Sequence, residues 1–312
     1  MLRYAFLGLL VLSVVPASAA DATPSVFAPG VISGPLHDSA PAFTPDGSTV
    51  YFSRSDGPHS SILVSHLEQG QWSQPSTAPF SGQWSDMEPT MSPDGHTLVF
   101  ISNRPKTPGG KPLDGFFMGR SFPAAGGNLW MVTRQGDGWS TPVRLSDQVN
   151  RSDSTFAPSV AADGALYFMH PAQDPRHFQL YRAAYVHGAY QEPQPLPFSD
   201  GTTTDVDPAV APDESFLVFG SNRVPARQID LFIVFRDDGH WGTPIHLGDV
   251  VNSAGSDAEA RLSPDRRTLY FASDRLSEMP PGAVRADWDN GKYNIWQVSL
   301  APWLDAHAKL TK

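Results

Sequence analysis

The sequence contains no cysteine. That excludes disulfide scaffolds, thiolate zinc sites, iron–sulfur clusters and cysteine nucleophiles, all of which need the missing sulfur. Positive charge is also scarce: 22 Lys and Arg stand against 32 Asp and Glu, a formal charge of −10. Phosphate backbones are bound by Lys and Arg displacing counterions, so nucleic acid is not an expected partner. No H-E-x-x-H, G-x-S-x-G or phosphate-binding glycine loop occurs, and catalytic residues stay unassigned. Turn formers are plentiful, with 30 prolines and 26 glycines in 312 residues. With 40% hydrophobic residues the chain can still bury a core, and that combination suits many short strands joined by turns.

Residues 1–20 differ from the rest. Arg3 precedes the apolar run AFLGLLVLSVV and the small residues PASAA, the layout of a secretory signal peptide cleaved near Ala20. The run is too short for a comfortable membrane span. Residues 21–312 are therefore expected to be periplasmic or secreted, with no transmembrane segment after cleavage.

One phrase recurs five times: PAFTPDGSTVYF (41–52), PTMSPDGHTLVF (89–100), PSVAADGALYF (158–168), PAVAPDESFLVF (208–219) and ARLSPDRRTLYF (260–271). Each reads as strand, tight turn, strand: Pro fixes φ, Asp bonds its own backbone and Gly takes positive φ. Glu214 and Arg266 replace that Gly in the last two copies. An apolar third strand follows each phrase. A W-x-x-P fourth strand comes next, at Trp72–Pro75, Trp139–Pro142, Tyr190–Pro193 and Trp241–Pro244, and its Pro suits an edge. The fifth copy lacks a fourth strand, whereas SVFAPGVISGPLHD (25–38) has the same Pro-centred form. The expected fold is all-β, a single five-bladed β-propeller of four-stranded antiparallel blades at about 39–81, 87–149, 154–200, 206–251 and 258–300, closed by the strand 25–33.

These phrases resemble the WD40-like β-propeller repeat of the P-D-G type, found in TolB and in propeller domains joined to OmpA-type envelope proteins. The segment 241–275, WGTPIHLGDVVNSAGSDAEARLSPDRRTLYFASDR, resembles it most closely. The resemblance covers nearly the whole chain after residue 20. It implies the propeller architecture, and its members include binding modules, interaction scaffolds and, more distantly, carbohydrate-active enzymes.

Strand alternation puts the P-D-G turns on one face and the two long insertions, 104–127 and 275–292, on the other, termed the top, where long loops are expected to bind. An acid precedes the phrase at Glu88, Asp207 and Glu259, and an arginine follows 16 residues later at Arg104, Arg223 and Arg275. Where the acid is replaced by Ala40 or Ala157, the arginine is replaced too, by Asp56 or Gln173. Acid and arginine are thus expected to form structural ion pairs. Asp38, Asp86, Asp205 and Asp257, two residues earlier, are expected to cap turns; the other reading is that they converge on calcium. No cofactor is required by any motif, and calcium is the ion these carboxylates could take. The unpaired repeats and the insertions form a candidate ligand crescent: Asp56, His59, Lys106, Lys111, Asp114, Phe116, Phe117, Arg120, His170, Asp174, Arg176 and His177, with Trp288 in the second insertion. Phe116 and Phe117 could equally fold the insertion onto the ring. Asn150-Arg151-Ser152 matches a glycosylation sequon.

The expected function is a binding module that recognises a protein segment or a glycan at the cell envelope through its top face. The alternative is a carbohydrate-active hydrolase or lyase with carboxylates, and a divalent cation if one binds, at the channel mouth.

Overall fold

The computed structural model describes residues 23–311 except Met118 and Arg227; the expected signal at 1–20 lies outside the described residues. Each repeat phrase folds as an antiparallel pair: His37–Phe43 with Thr49–Ser55, Asp86–Met91 with Thr97–Ser102, Phe156–Val160 with Leu166–Pro171, Asp205–Val210 with Phe216–Ser221, and Asp257–Leu262 with Thr268–Ser273. Third strands follow at Ser60–Glu68, Asn128–Gln135, Phe178–Ala183, Asp230–Asp237 and Asn294–Ser299. The fourth strands are two residues long, Ser76–Thr77, Val143–Arg144, Gln194–Pro195 and Ile245–His246. In the last blade that place is taken by Ser25–Val26, paired with Gln297 and Trp296. The chain is an all-β five-bladed β-propeller, and its N-terminal strand closes the ring.

A second repeat of contacts confirms the closure residue by residue. The amide N–H of one third-strand residue is capped in every blade by a side chain just after the fourth strand: Ile62 by Ser81, Leu129 by Asn150, Leu180 by Ser199, Leu231 by Asn252 and Ile295 by Ser33. Ser33 thus does for blade 5, from the far end of the chain, what its counterparts do locally. Asn150 is 4% exposed and also donates to the Leu129 and Leu145 carbonyls, so this fold has no room for a glycan on the sequon.

The apolar cores lie largely between blades. Tyr51 of blade 1 meets Trp139 of blade 2, with an indole-to-hydroxyl hydrogen bond of 3.0 Å, and Tyr167 of blade 3 meets Trp241 of blade 4 edge-on. At the closure Phe27 contacts Phe43, Trp72 and Tyr270. Such aromatic pairs add about 0.5–1.5 kcal/mol beyond their buried area.

The two departures from P-D-G have a structural reason. Glu214 and Arg266 both keep the positive φ of the glycine they replace, 56° and 62°. In return Glu214 accepts from Tyr167 and pairs with Arg182 at 2.6 Å and Arg236 at 2.5 Å, joining blades 3 and 4. Arg266 reaches Asp213 of blade 4 at 2.5 Å. A helix that the repeats did not announce, Ala301–Leu310, starts with Pro302 in its first turn and lays Trp303 and Leu304 against the core of blades 4 and 5. Among the described residues no helix is long and apolar enough to cross a membrane.

The expected ion pairs form differently. Arg104, Arg223 and Arg275 pair with Asp86, Asp205 and Asp257, and not with Glu88, Asp207 and Glu259. Arg54 and Asp38 make the fourth such pair at 2.6 Å. Each of these arginines also donates to a carbonyl of the preceding blade's outer segment: Ile32, Phe80, Phe198 and Val251. The pairs therefore staple neighbouring blades. All four Asp carboxylates are fully buried, and a guanidinium already supplies the cation that calcium would have supplied.

The junction of blades 2 and 3 has Thr155 and Gln173 in place of Asp and Arg, and so lacks a staple. The first insertion holds it together. Its hairpin, Gly115–Phe117 with Arg120–Phe122, stacks Phe117 on Phe122 at 4.3 Å and against Phe156 and Phe178 of blade 3. Lys106 pairs with Asp153, and the Gly127 N–H donates to the Asp153 carbonyl at 2.7 Å. A Cβ on Gly127 would lie 2.4 Å from Ile101 Cγ2 and 2.5 Å from the Phe156 ring. Gly127→Ala is expected to cost about 1–3 kcal/mol by overpacking, read in a urea melt.

Candidate functional site in the axial channel

Every inner strand carries a β-bulge at the same repeat position. The residues there, Ala40, Glu88, Ala157, Asp207 and Glu259, have φ between 48° and 54°, a conformation L-residues seldom adopt. The bulge takes these side chains out of strand alternation and into the channel. In blades 2, 4 and 5 they are carboxylates; in blades 1 and 3 they are methyl groups. Neighbouring blades satisfy the backbone there: Ser53 Oγ accepts the Glu88 N–H at 2.7 Å, and Asp207 Oδ2 accepts the Glu259 N–H at 2.9 Å.

Two positions further along each strand the channel is lined by Ala42, Thr90, Ser159, Ala209 and Arg261. Arg261 is 4% exposed and donates to the Ala260 carbonyl at 2.7 Å; its Nη2 has no partner. Burial raises the Glu88 carboxyl well above its ordinary range, and the nearby Glu259 and Asp207 push the same way, while Arg261 opposes them. Burial likewise raises Asp207. Glu259 is pushed up to about 7, first by burial and then by Asp207. The channel thus holds carboxyls that keep their protons far longer than surface acids do.

A cavity opens at each end. On the P-D-G face a funnel of about 430 Å³ is walled by Phe43, Met91, Val160, Val210 and Leu262 inside a rim of turn prolines. On the top face a pocket of about 170 Å³ is lined by His37, Ser39, Ser53, Ser55, Ser60, Met87, Glu88, Glu259 and Tyr293. The His37 and Tyr293 rings lie 5.7 Å apart at its edge. Lys292, which donates to the Pro35 carbonyl at 3.1 Å, joins burial in lowering the His37 pKa. The face of the short P-D-G turns, not the top, therefore carries the larger of these two cavities.

The expected crescent is only partly assembled. The insertion hairpin meets blade 3, where the Gly119 N–H donates to the Pro175 carbonyl; Asp174 and Arg176 pair beside it, and His177 meets Thr204. Phe117 is spent on packing, Phe116 is 52% exposed, and Asp114 accepts the Ala124 N–H to shape the loop. His170 is stacked on Tyr181 at 3.9 Å, with its pKa lowered by burial. Lys111, Arg120, Asp56 and His59 are exposed, the last two in a blade 1 loop. Trp288 is half-buried, and its carbonyl accepts from Asn294. None of these residues lines either axial cavity.

Sequence reasoning placed Glu88, Asp207 and Glu259 on the ring but not in the channel, and missed His37, Tyr293, the serines and Arg261. The signal for the serines was the S-x-S spacing of Ser53 and Ser55 after the first phrase. Among the described residues no group of three His, Cys, Asp or Glu is placed to hold a metal ion.

No family model and no curated protein sequence matches this chain. Solved structures do. A thermostable family-43 glycoside hydrolase aligns over 83% of this chain and 88% of its own, at TM-score 0.54 and 11% identity. TolB from Acinetobacter baumannii aligns over 85% of this chain but 54% of its own, at TM-score 0.44 and 14% identity. A protein of Agrobacterium tumefaciens assigned as TolB aligns over 90% of this chain and 98% of its own, at TM-score 0.50 and 15% identity. At such identities the likeness is one of fold, and by that measure the chain is a β-propeller structurally similar to the Agrobacterium protein and to other β-propellers.

Proposed function

We propose that this propeller is a binding module of the cell envelope that holds one end of a glycan in the top pocket of its channel. The lining of that pocket carries the reading: four serine hydroxyls, an imidazole, a phenol and two carboxylates, with Met87 the one aliphatic wall. Sugar hydroxyls donate and accept, and such a lining offers both kinds of partner with a ring face beside them. A protein segment is gripped chiefly by apolar and aromatic anchors in desolvated pockets, which this lining does not offer. At about 170 Å³ the pocket suits a single sugar ring. The export signal read at residues 1–20 supports a place outside the cytoplasm.

The second reading, glycoside cleavage, is favoured by Glu259, which keeps its proton to about 7 beside two further carboxyls, as a general acid must. Envelope and plant-wall oligosaccharides, screened by calorimetry and for newly released reducing ends, test both. Binding without release is the expected result, weakened about tenfold or more by Glu259→Gln. Release that this substitution abolishes replaces the module with a hydrolase; capture of a protein and no glycan overturns both.

A further inference from the structure

Building on the glycan reading, we propose that the sugar ring taken by the top pocket carries a protonated primary amine. Two carboxylate oxygens of the pocket are left without a donor. Glu88 Oε2 and Glu259 Oε2 have no hydrogen-bond partner, and both residues line the pocket. The one buried cation of the channel does not fill that need: Arg261 directs Nε and Nη1 to the Pro89 and Ala260 carbonyls, and its Nη2 reaches neither glutamate. At the rim, Lys292 is tied to the Pro35 carbonyl beside His37, so the favourable place for a second cation is deep, between the two glutamates.

An ammonium brings three donors and a charge; a hydroxyl brings one donor and none. Three carboxyls face one arginine along this axis, and the whole chain carries −10, so both near and far fields draw a cation inward. A neutral sugar would leave protons on the acids. An amino sugar replaces them, and its binding releases protons. The raised glutamate carboxyls support this: affinity should climb between about pH 6 and pH 7.5, as the pocket surrenders its own protons more readily.

The test compares glucosamine, glucose and N-acetylglucosamine by calorimetry on the full chain, in buffers of different ionisation enthalpy. The expected result is glucosamine binding about tenfold or more tighter than the other two, with net proton release, and Glu88→Gln and Glu259→Gln each bringing it down to the level of glucose. Equal binding of all three sugars overturns the amine while leaving the glycan reading in place. Binding of none removes both. The comparison of sugars on the unaltered protein decides even if a glutamine variant does not fold.

Discussion

Replacing Arg104 by methionine is expected to lower stability by about 3–5 kcal/mol, a drop in Tm of roughly 5–8 °C for a chain of this size. Arg104 joins three things: the fully buried Asp86 of its own blade, the Ser102 hydroxyl and the Phe80 carbonyl of the blade before. Methionine fills part of the volume but leaves the carboxylate with the Ser81 and Ser102 hydroxyls as its remaining side-chain partners. Burial already raises the Asp86 carboxyl against the pull of Arg104. Without the guanidinium it rises further, so the loss should be larger at pH 8 than at pH 5, where protonation relieves the charge. Arg267→Met, at the exposed pair with Asp305, is the control and should cost less than about 1 kcal/mol. Equal effects at both sites would show that the four staples do not hold the ring.

Glu259→Gln is expected to do the opposite in alkaline solution. In the folded ring Glu259 holds its proton to about 7, and Glu88 and Asp207 are raised as well. The unfolded chain releases those protons at ordinary carboxyl values. Between those values and about pH 7 the native state binds more protons than the unfolded one, so stability falls as pH rises through this window. The glutamine variant pays no such ionisation cost. It should match the parent near pH 4 and exceed it by on the order of 3 kcal/mol at pH 8, seen as a flatter profile of Tm against pH. A variant less stable than the parent at pH 8 would mean that an ionised Glu259 is held by the channel rather than tolerated. The turn aspartates have the opposite sign: Thr44 and backbone donors hold Asp46 down to about 2, and Asp94 and Asp265 are lowered by Ser92 and Ser263. Their contribution is lost only as pH falls below the ordinary carboxylate range.

Architecture was legible because the P-D-G phrase encodes a complete local unit, and counting units counts blades. The missing fourth strand after residue 300 and the surplus one at 25–33 together specified the closure. Pairing was not legible, for a definable reason. Asp86 and Glu88 stand two apart, at spacings of 18 and 16 from Arg104, and in a regular strand both would face the same side. The left-handed residue at Glu88 breaks that alternation, so Asp86 meets the arginine and Glu88 turns to the axis. The blade 1 pair kept the spacing of 16 by moving to Asp38 and Arg54, which hid it among the absences. The pocket itself was beyond reach: His37 and Tyr293 are 256 residues apart and are brought together only by closing the ring.

That closure also sets the order in which the molecule can be finished. Ser33 and Ile295 bond across 262 positions of chain, so a segment made early has no seat until most of the blades that follow it have been made. Contacts so remote in sequence form late and slowly. Until they do, the last blade is a three-stranded sheet with a bare margin, and the top pocket, whose wall spans the seam, does not yet exist. Completion of the pocket and completion of the circle are therefore a single event.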